Sequence, residues 1–149
     1  MVSNRDQRFI EIAAQEARRS MCLMRHGCVA VSGGRIVGRG YNNHRSSSRD
    51  GFIHNTMTCH AEIAALREVN KRDKNFKKIV LYVVRLDSNN TLKESAPCVD
   101  CMKRINTMNV KRVIHSTNSG SIVIQRPNVC TSHTTTGRRV ILEMLINAC

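Results

Sequence analysis

The sequence predicts an α/β fold, a mixed five-stranded sheet layered between helices with its last two strands antiparallel. Three observations carry this. Apolar residues at helical spacing take turns along the chain with short apolar runs of strand length, in the order helix, hairpin, helix, strand, helix, hairpin, helix. Ile79, Val80, Leu81, Tyr82, Val83 and Val84 make an almost unbroken apolar run, as expected of a central strand covered on both faces. Thr117-Asn118-Ser119-Gly120 is far shorter than the dozen or so residues that a parallel crossover needs, so the strands on either side of it pair antiparallel.

Taken in order, Phe9, Ile10, Ala13, Ala14, Ala17 and Met21 recur at helical intervals, with Arg8, Glu11, Gln15, Glu16 and Arg18 between them, which marks an amphipathic first helix. Residues 28–31 and 35–41 are short apolar-rich runs around Ser32-Gly33-Gly34, the turn chemistry of a β-hairpin. The polar stretch 42–58, rich in Ser, Asn and Arg, reads as a long loop of the kind that often carries function. Residues 60–69 then read as a helix apolar on most sides, and hence buried. After the strand at 79–84, Cys98, Cys101, Met102, Ile105 and Met108 keep helical spacing, with Pro97 suited to the first turn and Asn109 to the stop. Residues 110–115 and 122–124 read as the last hairpin, and Val140, Ile141, Met144, Leu145 and Ala148 as a closing helix. No internal repeat is present.

A chain of 149 residues is expected to form a single domain over 1–149 with a core that needs no staples. Residues 1–6 are polar, and no apolar run approaches the roughly 20 residues of a membrane helix or the ~7–15 of a signal-peptide core. The expectation is a soluble, cytoplasmic protein with no membrane partner. Seven cysteines is an odd number, and two of them stand at metal-ligand spacing, which agrees with a reducing compartment. Cys22, Cys28, Cys130 and Cys149 are expected to be plain core or surface thiols.

The formal net charge of +13 points to anionic partners without choosing between nucleic acid and a phosphorylated metabolite. Aromatic platforms for single-stranded nucleic acid are scarce: two tyrosines, three phenylalanines and no tryptophan. Basic residues are scattered, in pairs such as Arg18-Arg19, Lys77-Lys78 and Arg138-Arg139, which favours a solvated basic surface over a dedicated groove.

Two fragments carry the chemistry. Cys59-His60-Ala61-Glu62 and Pro97-Cys98-Val99-Asp100-Cys101 supply one imidazole, two thiolates and a carboxylate, a three-ligand zinc site with an open fourth position and a proton carrier beside it. Cys98 and Cys101 lie three residues apart at a helix start, so both sulfurs face the same way and the helix N-terminus favours their negative charge. His60 and Glu62, two apart, can address one cavity only beyond the N-terminal end of their helix. Either fragment alone is weak evidence, since Cys-x-x-Cys also occurs in redox and structural sites and His-x-Glu occurs by chance. A closed structural zinc site lacks a fourth ligand here: Cys59 is adjacent to His60, and His54, His115 and His133 have no fixed spacing to the pair.

At these residues the chain resembles the cytidine and deoxycytidylate deaminase superfamily, whose pattern is H-x-E followed by P-C-x-x-C. The resemblance runs from about Ala14 to Ile124 and includes His26-Gly27-Cys28-Val29-Ala30-Val31 and Gly38-Arg39-Gly40-Tyr41-Asn42, which look like the first hairpin and the Gly-x-Asn that ends it. It implies a three-layer α-β-α fold, a zinc cofactor held by His60, Cys98 and Cys101, and Glu62 as the catalytic acid and base. It further implies that Asn42 contacts the sugar or base, that the Ala61 N–H binds the base carbonyl oxygen, and that the Ala96 carbonyl accepts from the exocyclic amine. A homo-oligomer is also implied.

The substrate reading divides. Cys59-His60-Ala61-Glu62 looks most like the deoxycytidylate branch, whereas the short last hairpin is more like the free-nucleoside enzymes. His115 stands near where relatives carry an aromatic residue against the base, and is either a stacking substitute or an ordinary strand residue. Arg25, His26, Arg45 and Arg49 border the expected mouth as a phosphate clamp or as solvated charges. A small-molecule cytosine nucleotide or nucleoside is the favoured partner. A deaminase editing cytosine or adenine in single-stranded DNA or RNA is the alternative, favoured by the charge, and an inert zinc-binding interaction module is the weakest reading.

Overall fold

The computed structural model describes residues 2–54 and 58–127. The expected closing helix at Val140–Ala148, with Cys130, His133 and Cys149, lies outside the described residues.

Helix α1 (Asn4–Arg19) begins at Ser3, whose hydroxyl accepts from the Asp6 N–H while the Asp6 carboxylate accepts from the Ser3 N–H, a reciprocal capping box. The expected apolar stripe continues to Met21, but the helix stops at Arg19. The Ser20 hydroxyl donates to the Asn42 carbonyl at 2.8 Å and turns the chain away, leaving Met21 92% exposed. Strands β1 (Arg25–Ser32) and β2 (Arg35–Tyr41) form the predicted hairpin. Gly33 and Gly34 take φ of 58° and 78°, the left-handed pair that a two-residue turn between right-twisted strands requires.

Helix α2 (Ala61–Arg72) follows the loop, then strand β3 (Ile79–Leu86). A two-residue strand β4 (Leu92–Lys93) folds back antiparallel on β3, pairing Arg85 with Lys93 and Leu86 with Leu92. Helix α3 (Val99–Thr107), β5 (Val110–Ser116) and β6 (Ile122–Gln125) complete the described chain. Pro97 stands one residue before the α3 cap at Cys98 rather than within the first turn.

The sheet runs β2-β1-β3-β5-β6, with β4 beside the end of β3. The five expected strands are all present, and β4 makes a sixth. Only β3 and β5 are parallel, with α3 as their crossover, and β5 and β6 are antiparallel as their short connection demands. Side-chain alternation splits the core in two. Val29, Val31, Tyr82, Val84 and Ile114 pack beneath α1, while Cys28, Ala30, Leu81, Val83 and Val113 pack against α2 and α3. On that second face, Gly38 and Gly40 of β2 leave room for α2: a Cβ at Gly38 would collide with the Ala65 carbonyl, and one at Gly40 with Ala64 and the Ala65 N–H. The helix therefore lies unusually close to the strand.

Across the other face, the Tyr82 hydroxyl donates to Asp6 Oδ1 at 2.6 Å, tying the start of α1 to the central strand. Burial alone would raise the Asp6 pKa, but hydrogen bonds from Tyr82 and Ser3 overcome this and hold it below the ordinary 3.8. The stability supplied by ionised Asp6 is therefore complete above that ordinary value and lost as pH falls through the lower folded one. Tyr82→Phe is expected to cost about 1.5–3 kcal/mol near neutral pH, the worth of a hydrogen bond to a charged group. Urea unfolding should show the gap between variant and parent narrowing once Asp6 is protonated.

Candidate active site

His60 is the N-cap of α2 and Cys98 the N-cap of α3, so two helix N-termini meet at one end of the sheet. Cys98 Sγ takes the place of a capping oxygen, accepting from the Cys101 N–H at 3.5 Å. His60 Nδ1 lies 3.1 Å from Cys101 Sγ and 3.5 Å from Cys98 Sγ, and all three ligand atoms fall within 4.8 Å of one another. Zinc bonds of about 2.3 Å to sulfur and about 2.0–2.1 Å to nitrogen at tetrahedral angles put the nitrogen and each sulfur roughly 3.6 Å apart. The donor set and its spacing therefore fit zinc. Among the described residues no fourth ligand joins the group. The Cys59 thiol is buried and turned to the His60 carbonyl at 3.4 Å, and burial, then the Glu62 charge, pushes it up to about 11.

Cys98 is placed by a buried serine pair. Ser95 Oγ donates to the Val83 carbonyl at 2.7 Å and accepts from the Ser116 N–H at 2.9 Å, while Ser116 Oγ donates to the Lys93 carbonyl at 2.6 Å. These bonds fasten the segment before Pro97 to the ends of β3 and β5. His60 is placed from the other side, by the seat of α2 on β2.

The electrostatics separate the groups. A hydrogen bond from the Cys101 thiol, helped by His60 and opposed by burial, holds Cys98 down to about 4, a thiolate ready to ligate. Cys101 is raised by its bond to Cys98 and by burial, as expected of the partner that keeps the proton when two sulfurs share a site. Burial pulls His60 down, but the bond to Cys98 and the charges of Glu62, Cys98 and Asp100 outweigh it and raise the net value. Glu62 is 4% exposed, sits in the first turn of α2 and reaches Cys101; burial raises its pKa, the direction a proton carrier needs.

Ala61 is the first residue of α2, next to His60, and Ala96 lies two residues before the α3 cap at Cys98. Asn42 is 8% exposed, with its amide already engaged: Oδ1 accepts from the His26 N–H at 2.9 Å and Nδ2 donates to the Met24 carbonyl at 2.6 Å. It clamps the entrance of β1 to the exit of β2. His115 is an ordinary strand residue in its contacts, with Nδ1 3.1 Å from the Ser116 carbonyl and Nε2 3.4 Å from Gln125 Oε1. Of the expected clamp, Arg25 is spent on the Asp87 carbonyl and on Asn90 Oδ1 at 2.9 Å, and Arg45 Nε donates to the Ser47 carbonyl at 3.0 Å.

One residue at the site, Arg85, escapes motif reading, and the structure sets it beside His26 of the expected mouth. His26 and Arg85 are direct cross-strand neighbours on β1 and β3, and alternation puts both on the α2–α3 face with Cys28 and Val83. His26 is lowered to about 4, chiefly by burial and next by the His60 charge, so its ring is neutral at neutral pH. Arg85 Nε is buried with no hydrogen-bond partner among the described residues. Antiparallel pairing of 25–31 with 80–86 was the only signal able to join them, and it needs the sheet order.

A family model described as the cytidine and deoxycytidylate deaminase zinc-binding region matches residues 3–117. The chain belongs to that family. Within it, the chain is 30% identical over 130 residues to the deoxycytidylate deaminase of Schizosaccharomyces pombe, covering 76% of this chain and 37% of the relative. It is 29% identical over 113 residues to a tRNA-specific adenosine deaminase of Streptococcus pyogenes, covering 74% of this chain and 62% of the relative. The chain thus spans less than two thirds of either protein, 37% of the first and 62% of the second. Among solved structures, the dCMP deaminase of cyanophage S-TIM5 superposes with a TM-score of 0.58 at 22% identity, over 93% of this chain and 90% of that one. The cytidine deaminase of Burkholderia pseudomallei gives 0.63 at 17% identity, over 82% and 92%. These neighbours share the deaminase family's fold.

Purified protein is expected to contain about one zinc per chain. Cys98→Ser and His60→Ala should each fall well below that by elemental analysis, while Cys59→Ser keeps the full complement.

Proposed function

We propose that the chain catalyses the zinc-dependent hydrolytic deamination of a cytosine nucleotide or nucleoside, giving the uracil form and ammonia. The observation that carries this is the meeting of His60, Cys98 and Cys101 within 4.8 Å, next to a buried carboxyl group on the same helix end as His60. Bound zinc supplies a Lewis acid that makes water reactive near neutral pH.

Glu62 takes the proton of the attacking water, and the oxygen forms its bond to C4 of the ring. Glu62 passes that proton to N3. It then takes the remaining hydroxyl proton and delivers it to the amine, so that the C4–N4 bond breaks, ammonia leaves and the C4 carbonyl forms. The Ala61 N–H holds the base carbonyl oxygen and the Ala96 carbonyl accepts from the exocyclic amine. Asn42 serves this reading mainly through the backbone it clamps. A phosphorylated substrate is supported by Arg85, whose buried Nε lacks an acceptor on the face that carries the metal group.

The second reading, deamination of cytosine or adenine within single-stranded DNA or RNA, is favoured by the net charge of +13 and by the likeness to tRNA-specific adenosine deaminases. A screen of ammonia release across cytosine, cytidine, deoxycytidine, CMP, dCMP, dCTP and single-stranded oligonucleotides decides between the two.

Glu62→Gln is expected to keep its zinc and lose about 10²–10⁴-fold in turnover, the usual worth of a positioned acid and base. Full activity in that variant overturns the mechanism. Arg85→Ala should raise KM for a nucleotide by roughly tenfold or more, the loss of a charge-assisted contact, and leave the corresponding nucleoside nearly untouched.

A further inference from the structure

The metal group stands where β1 begins and β3 ends. At the opposite end of the sheet, on the α1 face, the first turn of α1, the β1–β2 turn and the first residues of β3 and β5 line an open cavity of about 390 Å³. Arg5, Lys78, Lys111 and Arg112 line it. Scattered in sequence, these four cations are gathered by the topology. Among the described residues none of them forms a salt bridge. The one acid in the cavity wall, Asp6, accepts from the Tyr82 hydroxyl at 2.6 Å and the Ser3 hydroxyl at 2.9 Å and stays an anion that attracts Arg112, so one negative charge faces four positive ones.

Two further observations set this apart from a merely solvated charged face. Arg112 Nε is buried without a hydrogen-bond partner among the described residues, a costly state for a charged donor. Gly34, at φ 78°, lies against the Arg5 guanidinium, which places that cation at the β1–β2 turn. An adjoining cavity of about 350 Å³ shares Lys111 and Arg112 and adds Arg126 and Gln125.

Like charges crowded around one hollow repel until a multivalent anion joins them, and guanidinium forks with flexible ammonium groups match tetrahedral phosphate oxygens. The two hollows with a common wall suit linked phosphates better than a single one. We propose that this basic cavity is a second binding site, for the phosphates of a polyphosphate or of a nucleic-acid backbone, separate from the metal site.

The test is equilibrium binding to the full zinc-loaded chain of two probes: tripolyphosphate, and a labelled oligothymidylate that carries phosphates but neither cytosine nor adenine. At least one is expected to bind, and to weaken by about tenfold or more in the Lys111→Ala/Arg112→Gln double variant, whose zinc content stays that of the parent. The exposed pair Arg5→Ala/Lys78→Ala, which leaves the half-buried Arg112 in place, is expected to weaken the same probe. Tripolyphosphate binding alone assigns the site to free ligands, and oligothymidylate binding to the backbone. Absence of binding by both probes, or affinity unchanged in both variants, overturns the proposal. Because the readout is binding, the outcome is independent of whether the metal site deaminates cytosine.

Discussion

The close approach of α2 to β2 is the constraint on which the rest of the site depends. Gly38 and Gly40 present bare backbone to the helix, and any side chain there would strike the Ala61–Ala65 turn. That contact sets where α2 begins, hence where His60 stands and where Glu62 points. Cys98 reaches the same spot through an unrelated anchor, the Ser95–Ser116 pair bonded to the ends of β3 and β5. Separations of 3.1 and 3.5 Å between imidazole and sulfurs therefore rest on two independent backbone fixings, one on each side of the ion they suit.

The same arrangement divides the electrostatic labour. The hydrogen bond from the Cys101 thiol, helped by His60, makes Cys98 an anion, while the interior that buries Glu62 makes its proton harder to lose. A carboxyl group in water would be fully ionised and slow to return a proton. Here it is buried beside the two sulfurs, and its proton affinity rises. The short path from Glu62 to Cys101 keeps this acid beside the ion rather than across the pocket from it.

Much of this was legible in the order of residues, and for identifiable reasons. His60, Glu62, Cys98 and Cys101 stand at spacings that only a helix N-terminus can turn to one point, and both caps are where those spacings require. The Gly33-Gly34 turn and the short 117–120 connection similarly dictate antiparallel pairing. Strand β4 has no periodicity to announce it, being two residues that owe their conformation to Arg85 and Leu86 alongside. Met21 continues a helical stripe, yet one hydroxyl bond from Ser20 outweighs it. The roles of Asn42, His26 and Arg85 depend on which strands are neighbours, information carried by tertiary packing rather than by any local pattern. So too the cations of the far cavity, which no run of basic residues foretells.

The loop between β2 and α2 has a narrow neck. Asn43 and Cys59 exchange two backbone hydrogen bonds, of 3.0 and 2.8 Å, so the chain leaves and re-enters the body of the protein at nearly one point. Beyond that neck the described part of the excursion is pinned to the two ligand-bearing helices: Asp50 pairs with Arg67 of α2 at 2.6 Å, the Arg104 guanidinium of α3 lies over the Phe52 ring, and Ile53 is buried. A strap held at its neck and again on both helices couples the loop to α2 and α3, so a substitution at Asp50 or Phe52 is felt at the helix pair without touching a metal ligand.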